Sequence, residues 1–304
     1  MIDVHPEVRD SLERRRPVVA LESTIIAHGM PPPHNLATAR SLEAIVRAGG
    51  ATPATIAVIG GRIRVGLEDD ELAWLGSARD VRKLSRADLG HAIVTRTHGA
   101  TTVAATMLCA HRAGIAVFAT GGIGGVHRGA ETTFDVSADL DELARTPVAV
   151  VCAGAKALLD LPKTLEALET RGVPVVGYRT GDLPAFWSRT SGLRLGLRLD
   201  SAAELAALIR TQRELAARTG MVIANPIPPE AEIPAAELAA HIDAAVAAAS
   251  TSGISGAAVT PFVLEHIFTS TAGRSLRANV ALVENNARLA TEIAVALAGM
   301  ELHA

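Results

Sequence analysis

Short β-branched apolar runs alternate along this 304-residue chain with longer Ala/Leu-rich stretches of helical spacing. That alternation predicts repeated strand–helix units and a largely parallel sheet. Val18–Leu21, Ile115–Ala119, Val148–Cys152, Val173–Val176 and Met221–Ala224 read as strands, and His91–Thr95 as another. Thr55–Ile59 and Arg62–Val65 flank Gly60-Gly61, a hairpin signal, so the sheet is expected to be mixed. Helices are predicted over 36–48, stopping at Gly49-Gly50, over 101–113, closed by Gly114, and over 138–145 behind the cap Ser137. Further helices are expected from Pro162 to Gly172 and over 201–218, 235–249 and 276–298. Residues 177–200 lack periodicity, and a loop with four prolines spans 225–234. Strand–helix alternation resumes unchanged on both sides of each, so residues 1–304 are expected to form one domain.

Composition narrows the function classes. At 49% hydrophobic residues the chain has ample material for a core, and with 3% aromatics that core must be aliphatic. Net charge is −3 with both signs interspersed, which argues against nucleic-acid or membrane-surface binding. The N-terminus lacks a signal peptide's apolar core, and no charge-free run reaches membrane-spanning length. A soluble, cytoplasmic protein is expected. Cys109 and Cys152 lie in separate apolar stretches and read as buried free thiols.

Lysine is scarce: 3 of the 29 basic residues, at positions 83, 156 and 163. Apart from the Cys152 thiol, Lys156 is the sole ionisable side chain between Pro147 and Leu159. An amine, unlike a guanidinium, can shed its proton where solvation is poor and then attack a carbonyl-type carbon. The alternative is a lysine that reaches back to solvent from a strand end.

Other chemical residues also come directly after predicted strands, where ligands collect in open α/β sheets. Glu22 comes after Val18-Val19-Ala20-Leu21, and burial there would suit it as a general acid or else as a structural hydrogen bonder. Thr120-Gly121-Gly122-Ile123-Gly124-Gly125-Val126-His127 is neither a dinucleotide fingerprint nor a Walker loop. Its glycines serve equally an anion-binding loop or a tight turn. Asp135, flanked by apolar residues, could hold a hard divalent ion that keeps most of its waters, whereas Asp139 fits a helix's first turn. His28, His98 and His127 lack metal-ligand spacing and read as hydrogen bonders, and no serine-hydrolase elbow occurs.

Eight stretches stand in order along the chain, beginning with residues 20–31 (ALESTIIAHGMP), 101–107 (TTVAATM) and 118–129 (FATGGIGGVHRG). They continue with 135–140 (DVSADL), 153–156 (AGAK), 225–228 (NPIP), 260–262 (TPF) and 275–279 (SLRAN). Taken together they resemble the pseudouridine-5′-phosphate glycosidase family, which shares its fold with the indigoidine-synthase A-like proteins, and the likeness covers nearly the whole chain. The resemblance implies a three-layer α/β/α sandwich around a mixed, largely parallel sheet. It also implies reversible cleavage, with water, of the C–C glycosidic bond of pseudouridine 5′-phosphate to uracil and ribose 5-phosphate. On it, Glu22 matches the proton donor, Lys156 the nucleophile and Asp135 the manganese-binding aspartate. Lys83, Val103 and Ser137-Ala138-Asp139 match substrate-contacting positions, Asn279 matches a position near the active site, and a homotrimer is implied. Two rivals stand beside this reading: another imine-forming enzyme such as a sugar-phosphate aldolase, and a non-catalytic ligand-binding protein on the same fold.

Overall fold

A computed structural model describes residues 1–254 and 259–302. Its strands are β1 (Ile2–Val4), β2 (Val18–Glu22), β3 (Thr52–Ile59), β4 (Arg62–Val65), β5 (Arg82–Leu84) and β6 (Gly99–Thr101), then β7 (Val117–Ala119), β8 (Ala149–Cys152), β9 (Val175–Tyr178), β10 (Leu197–Leu199) and β11 (Met221–Ala224). They form one sheet in the order β1-β4-β3-β2-β7-β8-β11-β9-β10, with β6 and β5 attached beside β3. All pairings are parallel except β3 with β4 and β3 with β6. The hairpin at Gly60-Gly61 supplies one of the two antiparallel pairings that make the sheet mixed, as its sequence predicts.

The helices are α1 (Pro6–Glu13), α2 (His34–Ala48), α3 (Asp69–Ser77), α4 (Arg86–Val94), α5 (Val103–Ala113) and α6 (Ala130–Thr133), then α7 (Ala138–Leu143), α8 (Leu161–Thr170), α9 (Ala202–Glu214), α10 (Ala235–Thr251), α11 (Val259–Ser270) and α12 (Arg274–Leu302). They cover both sides of the sheet. The long α12 lies along β2, β7 and β8 with α2 and α9 beside it, while α5 packs on β2, β3 and β4 with α4 and α7 as neighbours. One hydrophobic core runs from Val8 to Leu297, built mainly of Ala, Val, Leu and Ile. Cys109 and Cys152 lie within it, and burial pushes both thiols up to about 12, leaving them inert at neutral pH.

Two expectations need correction. Residues 91–95 are not a strand but the end of α4, whose start is set by Asp88 accepting the Ser85 N–H at 2.8 Å. The neighbouring strand is instead Gly99–Thr101, too short and glycine-containing to show a β pattern. Helix α5 accordingly begins at Val103, with the Thr102 hydroxyl capping it. Helices α1, α3 and α11 and a π-helical turn over Ile25–Gly29 escaped the sequence reading.

Candidate active site

Because β2, β7 and β8 are adjacent and parallel, the chain segments leaving them share one end of the sheet. Glu22 closes β2, the glycine segment leaves β7, and Lys156 stands four residues past β8. The backbone there is tightly determined. The Lys156 N–H donates to the Ile123 carbonyl at 3.1 Å, and Gly154 has φ +82° with the Pro184 carbonyl where a Cβ would stand. Only glycine fits that turn, and the turn aims Lys156.

A crevice opens over these strand ends, in two chambers that share Glu22, Thr24, Lys83 and Lys156 as walls. The first, about 560 Å³, is mostly apolar: Ile25, Met30, Phe186, Leu264 and Leu282, with His28 and Asn279 among them. The second, about 880 Å³, is the more polar of the two, with Ser85, Asp88, Thr102, His127, Asp135 and Ser137 beside Val103, Ala138 and Leu159. Each residue that the family resemblance marks lines one or both chambers: Glu22, Lys83 and Lys156 at the seam, Asn279 on the apolar side, Val103, Asp135, Ser137, Ala138 and Asp139 on the polar side. Of the three lysines, only Lys163 is elsewhere, on the surface between Glu131 and Asp160.

The seam concentrates ionisable groups in poorly solvated surroundings. Burial raises the Glu22 carboxyl, opposed by the Lys156 charge and by a hydrogen bond donated from the Thr120 hydroxyl. Burial likewise lowers the Lys83 ammonium, and repulsion from Lys156 adds to it. An acid shifted up and an amine shifted down, both lining the same crevice, are the directions that suit proton transfer.

On the polar side, Asp139 is occupied structurally. One carboxylate oxygen accepts the Ala104 N–H at 2.9 Å and the other the Gly124 N–H at 2.8 Å, which fastens the glycine segment to the start of α5. Gly124 must be glycine because a methyl group would overlap Ser137 Oγ and the Asp139 carboxylate. None of the four glycines of this segment is left-handed, and the amides of Ile123, Gly124, Val126 and His127 are all taken by protein acceptors. Close packing, not an anion nest, explains most of the glycine run.

Asp135 remains partly exposed, 3.8 Å from His127 Nδ1. Burial lowers His127, with Asp135 opposing. Among the described residues no three His, Cys, Asp or Glu side chains converge as a metal cage. A hard divalent ion that keeps most of its waters nonetheless fits one partly exposed carboxylate in the more polar chamber.

On the apolar side, α12 positions Asn279. The Trp187 indole N–H donates to its Oδ1 at 2.6 Å, and an indole can only donate, so the amide oxygen is fixed there and the NH₂ group faces away from it. His98, in contrast, accepts the Gly60 N–H and stacks on Trp74, outside both chambers.

Residues missed by sequence reasoning also line the crevice. Phe186, with φ +61°, comes from the aperiodic stretch, and Ser85 lies in a segment with no motif. Three buried side-chain polar atoms lack a partner among the described residues, and two of them, His28 Nε2 and Ser85 Oγ, belong to crevice residues. Orphaned polar atoms gathered at one cavity mark a place completed by a ligand or water.

The family model described as indigoidine synthase A like protein matches residues 7–296. The chain is 64% identical to the pseudouridine-5′-phosphate glycosidase of Methylobacterium nodulans, over 98% of this chain and 89% of that protein. It is 65% identical to the one from Solibacter usitatus, over 97% of this chain and 99% of that protein. Among solved structures it is similar to the prealnumycin C-glycosynthase AlnA, in complex with ribulose 5-phosphate. There the TM-score is 0.92 and identity 38%, covering 100% of this chain and 99% of that one. An indigoidine synthase A-like protein from Thermotoga maritima matches with TM-score 0.89 and 34% identity, covering 98% and 97%.

Proposed function

The chain belongs to the indigoidine synthase A-like family, and from that premise we propose that it is a pseudouridine-5′-phosphate glycosidase. It cleaves the C–C glycosidic bond of its substrate with water, giving uracil and ribose 5-phosphate, and catalyses the reverse. Full-length relatives at 56–65% identity carry that name. The observation that carries the reading for this molecule is the seam: Glu22, Lys83 and Lys156 stand between a polar and an apolar chamber. A substrate with a phosphorylated sugar at one end and a flat base at the other fits that division, its scissile bond at the seam.

A carbon-linked uracil is a poor leaving group, so a pair of carboxylates of the usual glycosidase kind would not suffice. In the proposed sequence Glu22, whose carboxyl burial shifts upward, gives its proton to the ribose ring oxygen and the sugar opens. The Lys156 amine bonds to C1′. Protonation at uracil C5 then lets the base leave from carbon, and water hydrolyses the remaining imine, restoring the lysine. Covalent catalysis of this kind divides one difficult cleavage into easier steps. Lys83, beside both groups, supplies charge to the phosphate-bearing side or relays protons at the seam.

Asp135 would hold a manganese ion through one carboxylate, the rest of its shell being water. Such an ion supplies positive charge for phosphate oxygens. Val103, Ser137 and Ala138 shape the chamber wall on that side. The Asn279 NH₂ group suits a uracil carbonyl. A homotrimer in the cytoplasm is part of the same proposal, and among the described residues no helix is long and apolar enough to cross a membrane.

The test is reduction with borohydride in the presence of ribose 5-phosphate, followed by peptide mass spectrometry. Sugar trapped on Lys156 is the expected result; sugar trapped on Lys83 alone would sink the assignment. Formation of pseudouridine 5′-phosphate from uracil and ribose 5-phosphate separates this enzyme from an aldolase.

A further inference from the structure

The crevice over the strand ends continues outward on both sides of the seam. On the apolar side, His28, Gly29, Met30, Leu264 and Asn279 are also walls of an outer chamber of about 650 Å³. It lies between the π-helical turn and helices α11 and α12, with buried Leu276 and exposed Glu265 in its lining. On the polar side, His127 and Asp135 are shared with a vestibule of about 1110 Å³. Leu158, Val246 of α10 and Val259 of α11 wall that vestibule, and Arg128 and Phe134 are exposed beside it. Four cavities therefore stand in series with the seam in the middle. We infer that a neutral base and a sugar phosphate reach Lys156 through opposite mouths, the base past Glu265 and the sugar phosphate past Arg128 and Phe134.

This inference rests on the function proposed above and deepens it by giving each substrate its own route. A phosphate dianion is excluded from the apolar route by the cost of burying an unpaired charge, and the Glu265 carboxylate at that mouth repels it. The opposite route runs past the Arg128 guanidinium and the His127 ring into the more polar chamber, so a dianion stays solvated as far as the seam. Uracil carries no charge, and the Asn279 NH₂ group restores one of the hydrogen bonds it gives up on entering the apolar side. Glu22, Thr24, Lys83 and Lys156 wall both inner chambers, so a sugar bonded to Lys156 fills the gap between them. With a single mouth, the component farther in would have to wait for the other to leave. Two mouths let the base depart while the ribosyl imine remains, and they keep the polar side open to the water that hydrolyses it.

The experiment plugs each mouth in the folded protein. Cys109 and Cys152 are buried, with thiols pushed up to about 12, so a maleimide spares them. Glu265→Cys and Val246→Cys each add one thiol to a helix that lines an outer space, and pyrene maleimide then fills it. Mass spectrometry confirms one label per chain, and the unlabelled variants are the controls. Where Val246→Cys resists labelling, Phe134→Cys, at a position 84% exposed, takes its place. Two rates are read. One is the trapping of ribose 5-phosphate on Lys156 by borohydride without base; the other is formation of pseudouridine 5′-phosphate when uracil meets enzyme preloaded with ribose 5-phosphate. The label at position 265 should slow the uracil step at least tenfold and leave trapping within twofold. The label on the vestibule should slow trapping at least tenfold and leave the uracil step within twofold. Any other pattern, whether one label slowing both rates or either label slowing neither, overturns the two-mouth assignment and leaves the glycosidase reading intact. Unlabelled protein that neither traps sugar nor forms product overturns that reading, and this inference with it.

Discussion

The two chambers on either side of Lys156 differ as two solvents do. In the polar one, Asp135 and His127 face each other across water-accessible space and Asp88 caps a helix. In the apolar one, Phe186, Leu264 and Leu282 leave room for only two polar side chains, His28 and Asn279, outside the seam. The lesson is that the seam residues take their character from having both neighbours. Glu22 is buried enough for its carboxyl to rise, yet near enough to charge for Lys156 and Thr120 to oppose the rise.

The comparison breaks first at the seam. Lys156→Arg keeps the positive charge and removes the nucleophile, so uracil release should fall by about 10⁴-fold or more, with the thermal midpoint little changed. Turnover within tenfold of the parent would remove covalent catalysis from the scheme. Next comes Glu22→Gln, with a loss of about 10²- to 10⁴-fold in kcat, the range of a general acid.

That variant also carries a pH signature. The raised folded-state value means the native protein holds the Glu22 proton more tightly than the unfolded chain does. This contribution to stability is complete below the ordinary value of 4.5 and is lost as pH climbs through the folded-state value. Glu22→Gln should therefore gain in thermal midpoint relative to the parent between pH 4 and pH 8. A constant difference across that range would count against a buried acid.

Asp139→Ala tests the strut rather than the chemistry. Losing two hydrogen bonds to a charged acceptor should cost about 3 kcal/mol or more in denaturant unfolding. The smallest effects sharpen the comparison best. Asn279→Leu should raise KM for uracil in synthesis about tenfold, the worth of one good hydrogen bond, and leave that for ribose 5-phosphate unchanged. Ser85→Ala should do the reverse by a few-fold. If both variants moved the same Michaelis constant, the division of the crevice by ligand end would fail.

Much of the crevice was legible because strands announce themselves by apolar runs and deliver the next few residues to one edge of the sheet. Glu22 and Lys156 were readable as charges attached to such runs, before any resemblance was considered. Lys83 and Asn279 were not: one lies within a three-residue strand and the other inside a long helix. Neither position carries a local signal, and only likeness to a family pointed to them. His28 reads from the sequence only as a hydrogen bonder, and Ser85 carries no signal at all, for a different reason. Their significance is an atom without a partner, a property of packing that no spacing encodes. Residues 91–95 misled because Ile93 and Val94 look like strand, while the deciding hydrogen bond is made upstream at Ser85.

Helix α12 turns out to be more than a lid on the sheet. Seven residues after Asn279, the Asn286 amide donates to the Thr120 carbonyl at 2.8 Å and its oxygen accepts from Asn225 at 3.0 Å. The residue whose carbonyl it holds is the one whose hydroxyl reaches Glu22. The chamber wall at Asn279 and the surroundings of Glu22 are thereby mounted on a single helical rod. Any axial slip of that rod would spoil both together, so substitutions far down its length should register in the chemistry before they register in the fold.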